Sequence, residues 1–288
     1  MEINSKTKLA CLIGHPVSHS FSPYIHNFLA EKYNVNLKYM CFDVEPDQVA
    51  HALNGMRALG FIGSNVTIPH KINVMDSLDE IDKNAQIIGA VNTIQNKQGK
   101  LIGYNTDGKG FVKSVLDAGH EVKGKHVMVL GAGGASRAIS IELAAHKVDK
   151  ISIRNNTLAK AEEIAKAVQI HFPEVEVEIG VLEVSEAALQ DVDILINTTP
   201  LGMSNKKDLS PIDETITPPL GLIVCDIVYT PHETKFLKWA IQHNLSVVYG
   251  IEMLINQALE SFSIWTGIEV EAYEELLQIL KEQGVIEK

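Results

Sequence analysis

The segment that most constrains the fold is a glycine-rich turn that joins an apolar stretch to a helical one. The apolar stretch is His126–Leu130, and the turn that follows it reads Gly131-Ala132-Gly133-Gly134-Ala135-Ser136. In dinucleotide-binding folds, glycines at such a turn let the backbone approach a pyrophosphate, whose charge is met by the N-terminus of the helix. The segment therefore predicts a Rossmann-type domain that binds a dinucleotide at residues 131–135.

The end of the next predicted strand bears on which dinucleotide is bound. The strand Lys150–Arg154 is followed by Asn155, Asn156 and Thr157. Sites specific for NAD usually place Asp or Glu here to hold the ribose 2′-hydroxyl, and this chain has neither. Arg154 offers a cation for a 2′-phosphate, and Asn155 and Thr157 offer neutral hydrogen bonds. NADP is therefore favoured over NAD, and an exposed strand-end arginine is the alternative interpretation of Arg154.

Apolar runs alternate with helical segments along most of the chain, which predicts βαβ units and an α/β fold. Before the glycine turn, strands are expected at residues 8–13, 37–42 and 61–67, helices at 23–33, 47–59 and 76–88, and a hairpin at 90–102. Later strands are expected at 126–130, 150–154, 194–197, 222–226 and 246–249, and helices at 110–118, 136–145, 252–265 and 270–283. The pattern predicts domains at residues 1–105 and 106–245, followed by C-terminal helices within residues 246–288.

The composition argues against several classes of protein. The 36 acidic and 25 basic residues give a net charge of −11, whereas nucleic acid is bound by clustered Lys and Arg. Residues 1–9 are polar and charged, and no run of about 18 apolar residues occurs, so neither a signal peptide nor a membrane helix is expected. The three cysteines have no CxxC spacing, which is typical of a reducing compartment. We expect a soluble, cytoplasmic protein.

Four clusters in the first predicted domain carry polar residues that a fold alone does not need. Their main members are Ser20 with Ser22, Thr67 with Lys71, Asn92, and Asp107. In open parallel sheets, ligands bind beyond the carboxyl ends of strands, and Lys71 falls in such a place. The residues alone leave other interpretations open, because Ser22 and Asp107 can cap helices and Lys71 can be a solvated lysine. The histidines of this region form no convincing ligand set, so no metal is expected.

Eight sequence blocks, taken in order, resemble the shikimate dehydrogenase family from about Leu9 to the C-terminal helices. They are HSFSP (19–23), NVTIPHK (65–71), GAVNT (89–93), NTDG (105–108), GAGGASRA (131–138), NTTPLGM (197–203), DIVYTP (226–231) and MLINQA (253–258). The resemblance implies an NADP-dependent oxidoreductase that interconverts 3-dehydroshikimate and shikimate, on the route to chorismate and the aromatic amino acids. It also implies an N-terminal mixed-sheet α/β substrate domain, a Rossmann NADP-binding domain, and C-terminal helices that return to the N-terminal domain.

The resemblance further implies roles for individual residues. Lys71 and Asp107 match the catalytic pair of the family. The matched substrate residues are Ser20, Ser22 and Tyr229 for the carboxylate, and Thr67, Asn92, Asp107 and Gln257 for the ring hydroxyls. The matched cofactor residues are Gly131, Ala132, Gly133, Gly134 and Ala135 for the pyrophosphate, Thr199 beside the cofactor, and Ile227, Gly250 and Met253 around the nicotinamide.

One position departs from the family pattern. Asn156 stands where the family has an arginine that covers the adenine and contacts the 2′-phosphate. The nearest arginine is Arg154, so the predicted 2′-phosphate site consists of Arg154, Asn155, Asn156 and Thr157.

Two other functions fit the same motifs. One is a quinate/shikimate dehydrogenase that uses NAD, against which the absence of an acidic residue after Arg154 argues. The other is a non-catalytic regulator that senses a ligand, which would not need both Lys71 and Asp107. The expected partner is a small-molecule substrate, without nucleic acid or membrane, and the chain is expected to act as a monomer or a homodimer.

Overall fold

The computed structural model describes residues 2–203 and 206–285, which divide between two compact units. The first unit is Met1–Thr106 together with Gln257–Leu280, and the second is Asp107–Asn256 together with Lys281–Lys288. The predicted C-terminal segment starts at residue 246, whereas the part that joins the first unit begins at Gln257. The predicted domains also cover residues 1, 204–205 and 286–288, which lie outside the described residues. The predicted domain limits stay a prediction.

The first unit is built on a mixed six-stranded sheet in the order β2-β1-β3-β5-β6-β4. Its strands are β1 (Lys8–Gly14), β2 (Leu37–Asp43), β3 (Gly63–Val66), β4 (Glu80–Ile81), β5 (Thr93–Lys97) and β6 (Lys100–Tyr104). Its helices in this part of the chain are α1 (Ser22–Lys32), α2 (Val49–Leu59) and α3 (Lys83–Ile88). Strands β2, β1 and β3 run parallel, while β5 lies antiparallel to both β3 and β6.

The expected helix at residues 76–88 is wrong. The chain there forms a 3₁₀ turn at Asn73–Ser77, then β4, then the short helix α3. The carboxylate of Asp79 accepts hydrogen bonds from Leu101 N (2.7 Å) and Arg57 Nη1 (2.6 Å), which draws this segment to the sheet edge. The side chain of Asp82 then accepts from Asn84 N (2.9 Å) and begins α3. Each of these two aspartates lies outside a helix and accepts a hydrogen bond from a backbone N–H, which is why aspartate residues interrupt helices.

The second unit is built on a parallel six-stranded sheet with helices in its connections. Its strands are β7 (His126–Leu130), β8 (Lys150–Arg154), β9 (Glu176–Gly180), β10 (Ile194–Asn197), β11 (Ile223–Asp226) and β12 (Ser246–Val248). Its helices are α4 (Asp107–Asp117), α5 (Gly134–Ala145), α6 (Leu158–His171), α7 (Glu186–Leu189) and α8 (Lys235–Gln242). The last two helices are α9 (Gly250–Thr266), which begins in this unit and ends in the first, and α10 (Tyr273–Glu282), most of which belongs to the first unit. The division between the units falls within α9.

The strand order of the second sheet confirms the Rossmann prediction. Read from its far edge, the sheet runs β9-β8-β7-β10-β11-β12, and every neighbouring pair is parallel. Numbered along the chain, this is the 3-2-1-4-5-6 order of doubly wound dinucleotide-binding sheets. The glycine turn follows the first strand of that order, where the fold places its pyrophosphate site.

Each unit has its own apolar core. In the first, Val66, Ile94 and Leu101 of the sheet pack with Leu53 and Met56 of α2. In the second, sheet residues pack with Phe236, Leu237 and Trp239 of α8. Within the described residues, no helix combines the length and the apolar character that crossing a bilayer requires.

The C-terminal part of α9 is held on the first sheet by a close contact at Gly63. Trp265 Nε1 donates to Ile94 O (2.9 Å), and a Cβ built at Gly63 would overlap both of these groups. Gly63 is the first residue of β3 and is buried, so a side chain there has no exposed direction in which to relax.

We predict that Gly63→Ala lowers the free energy of unfolding by about 1–3 kcal/mol, because the added methyl overpacks the Trp265 contact. Gly55→Ala is the matched control, since Gly55 lies in α2 and a Cβ there meets nothing within 4 Å. The control should raise the free energy of unfolding by about 0.5–1 kcal/mol through helix propensity. Urea unfolding of both variants tests this, and equal effects would contradict the packing argument.

Candidate active site

The loop that carries Thr67 and Lys71 leaves the end of β3 and is fastened to the neighbouring strand ends. Thr67 N donates to Ile13 O (3.0 Å), which ties the loop to the end of β1. The imidazole Nε2 of the buried His70 lies 2.7 Å from Val44 O, just beyond β2. Lys71 O accepts from Val91 N (2.8 Å), on the side of β5. The backbone of Lys71 is thereby held from both sides, and its side chain is partly buried.

Ser20 and Ser22 form a close pair at the start of α1. Their hydroxyl oxygens lie 3.2 Å apart, and Ser20 Oγ also accepts from Ser22 N (3.2 Å). The interpretation of Ser22 as a helix cap is wrong, because Ser22 is already the first residue of α1 and the hydroxyl that accepts a backbone N–H is that of Ser20. Both side chains are partly exposed, and their hydroxyl groups lie side by side.

Asn92 joins the chain entering β5 to the chain leaving β6. Its Oδ1 accepts from Thr106 N (2.8 Å) and from Thr93 Oγ1 (2.9 Å), and its Nδ2 donates to Thr106 Oγ1 (3.0 Å). A backbone N–H can only donate, so the bond from Thr106 fixes which end of the amide is oxygen. The amide of Asn92 is therefore held by the two threonines, with its oxygen facing Thr93 and the N–H of Thr106.

A buried polar network lies behind Asn92. Thr93 Oγ1 lies 2.8 Å from Ser261 Oγ of α9, and Asn65 Nδ2 donates to both hydroxyls (3.2 and 3.1 Å). Tyr39 OH in turn donates to Asn65 Oδ1 (2.8 Å). Asn65, Thr93 and Ser261 were not among the predicted site residues. An amide residue within a buried strand, as Asn65 is in β3, is the signal that indicates such a network.

Asp107 and Gln257 stand at the limits of the division between the units. Asp107 is the first residue of α4 and is 8% exposed. Gln257 is partly buried in α9, and its carbonyl oxygen accepts from Ser261 Oγ (2.9 Å). Both the helix-cap interpretation of Asp107 and its predicted catalytic role stay predictions.

The glycine turn of the second unit has the shape that a dinucleotide needs. Gly131 has φ +109°, and a Cβ on it would lie 2.6 Å from Thr198 Oγ1, so only glycine fits. Ser136 Oγ donates to Gly131 O (2.8 Å) and closes the turn from inside. By contrast, a Cβ at Gly133 or Gly134 meets nothing within 4 Å, so the N-terminus of α5 is open to an approaching phosphate. These features fit a bound pyrophosphate.

The residues at the predicted 2′-phosphate site differ in their exposure and in their hydrogen-bond partners. Asn155 Nδ2 donates to Thr157 O (2.9 Å), and Asn156 and Thr157 are exposed. Arg154 is instead turned toward β9, where its Nη2 lies 2.5 Å from Glu178 Oε1 and its side chain is 15% exposed. Arg154 is thus neither the exposed strand-end arginine nor a cation directed into the loop.

Lys160 is a cation at this end of β8 that sequence analysis missed. It is exposed in the first turn of α6, and its N–H donates to Thr157 O (3.2 Å). Among residues 2–203 and 206–285, no carboxylate lies within ion-pair distance of it. Its position one turn after Thr157 is the signal, because α6 begins where the loop ends.

A second buried network shapes the loops after β10 and β11. Asp226 Oδ1 accepts from Asn197 Nδ2 and Val228 N (both 2.9 Å), and Asp226 Oδ2 accepts from Thr234 Oγ1 (2.7 Å). Asn197 Oδ1 accepts from Thr199 Oγ1 (2.7 Å), and the neighbouring Thr198 lies against Gly131 of the glycine turn. Asn197 and Asp226 were not among the predicted site residues.

The remaining predicted cofactor and substrate residues lie around this network. Ile227 and Tyr229 follow Asp226 directly and are partly buried. Gly250 packs so closely that a Cβ would lie 2.7 Å from the carbonyl of Ile227, and Met253 is buried one turn further along α9. Burial raises the pKa of the Tyr229 phenol.

Comparison with known proteins identifies the family. Residues 12–94 match the shikimate dehydrogenase substrate binding domain, residues 112–209 match shikimate / quinate 5-dehydrogenase, and residues 250–275 match the shikimate 5′-dehydrogenase C-terminal domain. A shikimate dehydrogenase (NADP(+)) of Methanocaldococcus jannaschii is 47% identical over 271 residues, which are 93% of this chain and 94% of that protein. The chain belongs to the shikimate dehydrogenase family.

Solved structures agree with the family and with the fold. A crystal structure of shikimate dehydrogenase in complex with NADP+ has a TM-score of 0.92 and 43% identity, over 98% of this chain and 97% of that one. A ligand-free 5-ketofructose reductase of Gluconobacter sp. strain CHM43 has a TM-score of 0.90 and 32% identity, over 97% of this chain and 100% of that one. The family's scaffold thus also occurs in a reductase named for another substrate.

We predict that Thr93→Val lowers the free energy of unfolding by about 1–3 kcal/mol, because it leaves buried partners of the Asn92 network unsatisfied. Ser64→Ala is the matched control, since Ser64 lies in β3 and its buried hydroxyl has no hydrogen-bond partner among the described residues. The control should change stability little. Urea unfolding of both variants tests this. An equal loss of unfolding free energy in the two would show that the network does not explain the effect of Thr93→Val.

We predict that Asp226→Asn makes stability less dependent on pH between about pH 4 and about pH 7. Burial raises the pKa of Asp226 from its ordinary value of 3.8 to about 7, so the folded state holds this proton more tightly than the unfolded state. The contribution of Asp226 to stability therefore decreases as pH rises through this range and is constant above it. The asparagine cannot ionise, and its amide can donate to Thr234 Oγ1 where the carboxylate accepted.

The measurement is the urea midpoint of both proteins across this pH range. The variant should gain stability relative to the wild type as pH rises. Asp213→Asn is the control variant, because hydrogen bonds from Thr215 lower the pKa of Asp213 and its replacement should change the pH dependence in this range little. A constant difference between Asp226→Asn and wild type at every pH would show that Asp226 does not titrate in this range.

Proposed function

We propose that this chain catalyses the reversible NADP-linked reduction of 3-dehydroshikimate to shikimate, in the biosynthesis of chorismate and the aromatic amino acids. The observation that carries the proposal is membership of the shikimate dehydrogenase family along nearly the whole chain. Two local features support it: a set of polar groups at the strand ends of the first unit, and an open glycine turn at the start of α5. We further propose that the enzyme acts in the cytoplasm.

The first unit supplies the proposed substrate contacts. Ser20 and Ser22 present paired hydroxyls, which suit a carboxylate because each can donate one hydrogen bond. Thr67, Asn92, Asp107 and Gln257 are proposed ligands of the ring hydroxyls, and Tyr229 is a further proposed carboxylate contact. Since Asn92 Oδ1 already accepts from Thr106 and Thr93, Asn92 would donate to a hydroxyl oxygen of the substrate.

Lys71 is the proposed proton donor of the reduction. NADPH, when bound, supplies the hydride that reduces the ketone carbon. The oxygen on that carbon gains negative charge as the reaction proceeds, and the Lys71 ammonium would stabilise it and deliver the proton. In the reverse direction a neutral Lys71 would take the proton from the shikimate hydroxyl. Asp107 is proposed to complete the catalytic pair and to bind a neighbouring hydroxyl.

The second unit supplies the proposed cofactor contacts. The turn at residues 131–135 would hold the pyrophosphate, with Thr199 beside it and Ile227, Gly250 and Met253 around the nicotinamide. Asn155, Asn156 and Thr157 would surround the 2′-phosphate, and we add Lys160 as a cation for it because it is exposed and close to Thr157. Arg154 would have to leave Glu178 to take part.

The test is a matrix of initial rates for shikimate or quinate, each with NADP or NAD. The highest kcat/KM should be found with shikimate and NADP. A higher value with quinate and NAD would favour the quinate/shikimate dehydrogenase, and the absence of turnover with ligand binding retained would favour the non-catalytic regulator.

We predict that Lys71→Ala lowers the kcat of shikimate oxidation by about a hundredfold or more, with little change in the KM for shikimate, because proton transfer by a positioned side chain contributes on this order. Lys83→Ala is the matched control, since Lys83 is exposed at the start of α3 in the same unit. It should retain wild-type rates. Activity within a fewfold of wild type for Lys71→Ala would show that another group transfers the proton.

A further inference from the structure

The ion pair of Arg154 belongs to a ladder of charges across the outer two strands of the second sheet. Lys150 pairs in register with Glu176, and Arg154 pairs with Gly180. Lys150 Nζ lies 2.9 Å from Glu176 Oε1 and 3.0 Å from Glu178 Oε2, while Arg154 Nη2 lies 2.5 Å from Glu178 Oε1. Glu178 thus bonds two cations, whereas the ion pair described for Glu176 is with Lys150 alone.

Gly180 decides where the guanidinium of Arg154 can lie. A Cβ built at Gly180 would overlap Arg154 Nη1 and would come within 3.0 Å of its Cζ. The absence of a side chain therefore lets the guanidinium lie flat across β9, next to Glu178. Hydrogen bonds from Lys150 and Arg154 lower the pKa of Glu178, so its carboxylate is charged at neutral pH.

We propose that Glu178 weakens the preference of this chain for NADP over NAD by holding Arg154 away from the 2′-phosphate. The proposal rests on the proposed function, because it takes the loop after β8 as the site of the adenosine ribose. Arg154 is the last residue of β8, so its Cα is next to that loop while its charge is directed back along the sheet. The contacts between β8 and β9 are sufficient to explain why Arg154 pairs with Glu178.

The ion pair between Arg154 and Glu178 is weak enough to be exchanged for a contact between Arg154 and a phosphate. The side chain of Glu178 is 43% exposed, so its bond to Arg154 is screened by water and is weak on the scale of buried ion pairs. A 2′-phosphate carries more charge than a carboxylate and accepts bidentate bonds from a guanidinium. Binding of NADP would therefore break or share the pair, whereas NAD carries no group that competes for Arg154. Lys150 remains beside Glu178 in either case.

The experiment compares the dissociation constants of NADP+ and NAD+ for wild type, Glu178→Gln, Glu176→Gln, Arg154→Ala and the double variant Arg154→Ala/Glu178→Gln. Glu178→Gln should bind NADP+ about fivefold more tightly, which is the scale of an exposed ion pair, with NAD+ unchanged. Glu176→Gln removes the same charge from the same strand and face, so it controls for the general field and should have little effect. The double variant should bind NADP+ no more tightly than Arg154→Ala.

Three results would overturn the proposal: no gain in Glu178→Gln, an equal gain in Glu176→Gln, or a gain that persists without Arg154. Thermal unfolding of each variant shows whether the fold is retained, and Glu178→Ala provides a second variant if Glu178→Gln is unstable. Binding is measured without turnover, so these results are separate from the rate matrix. A wild type that binds both dinucleotides but does not oxidise shikimate would contradict the proposed function while leaving this inference to be decided by the dissociation constants.

Discussion

The hydrogen bond from Thr106 N to Asn92 Oδ1 is the constraint on which the first unit's polar face depends. It joins the two ends of the β5–β6 hairpin, and it fixes the orientation of an amide that is 3% exposed. The groups behind it are also buried, so each must find a partner within the protein. Thr93, Asn65 and Ser261 meet that requirement together, which couples the sheet to α9 through hydrogen bonds as well as through apolar packing. The positions of the polar groups on this face therefore depend on the buried hydrogen bonds behind them.

Buried hydrogen bonds also position the loops of the second unit, but there one of the bonding groups is the ionisable carboxyl of Asp226. Asp226 and Asn197 lie at the ends of the adjacent parallel strands β11 and β10, and their side chains organise the residues that follow each strand. A carboxyl group in this position is strongly desolvated, which explains the direction of its pKa shift. Parallel strands bring such groups together because their carboxyl ends share one edge of the sheet.

Much of the fold could be predicted from the sequence, and the exceptions have physical causes. The strands Lys150–Arg154 and Ile194–Asn197 were predicted at their observed limits, since isoleucines alternate with polar residues in the first and the second is a short, mainly apolar run. The helix expected at 76–88 failed because Asp79 and Asp82 bond to backbone groups, one of them 22 residues distant in sequence. Helix α6 and strand β9 were not assigned, although β8 and a doubly wound sheet require a further crossover and strand.

The candidate site likewise has features that the sequence could predict and features that it could not. Motif blocks were sufficient to select Lys71, Ser20 and the glycine turn, because these residues follow strand ends in sequence. They could not show the partners of Arg154, since Glu178 and Gly180 lie on a different strand and their role depends on strand register. Nor could they show that Ser20, rather than Ser22, accepts the backbone N–H at the start of α1.

Gly180 has a consequence for how cofactor use changes among related chains. The residues that read a nucleotide are usually sought in the loop that touches it, yet here a position on an edge strand determines the direction of the nearest arginine. A side chain at residue 180 would displace the guanidinium without altering a single residue of the loop after β8. If Arg154 contributes to binding the 2′-phosphate as proposed, two relatives with the same loop sequence would differ in the dinucleotide they prefer because of a single residue on the edge strand β9.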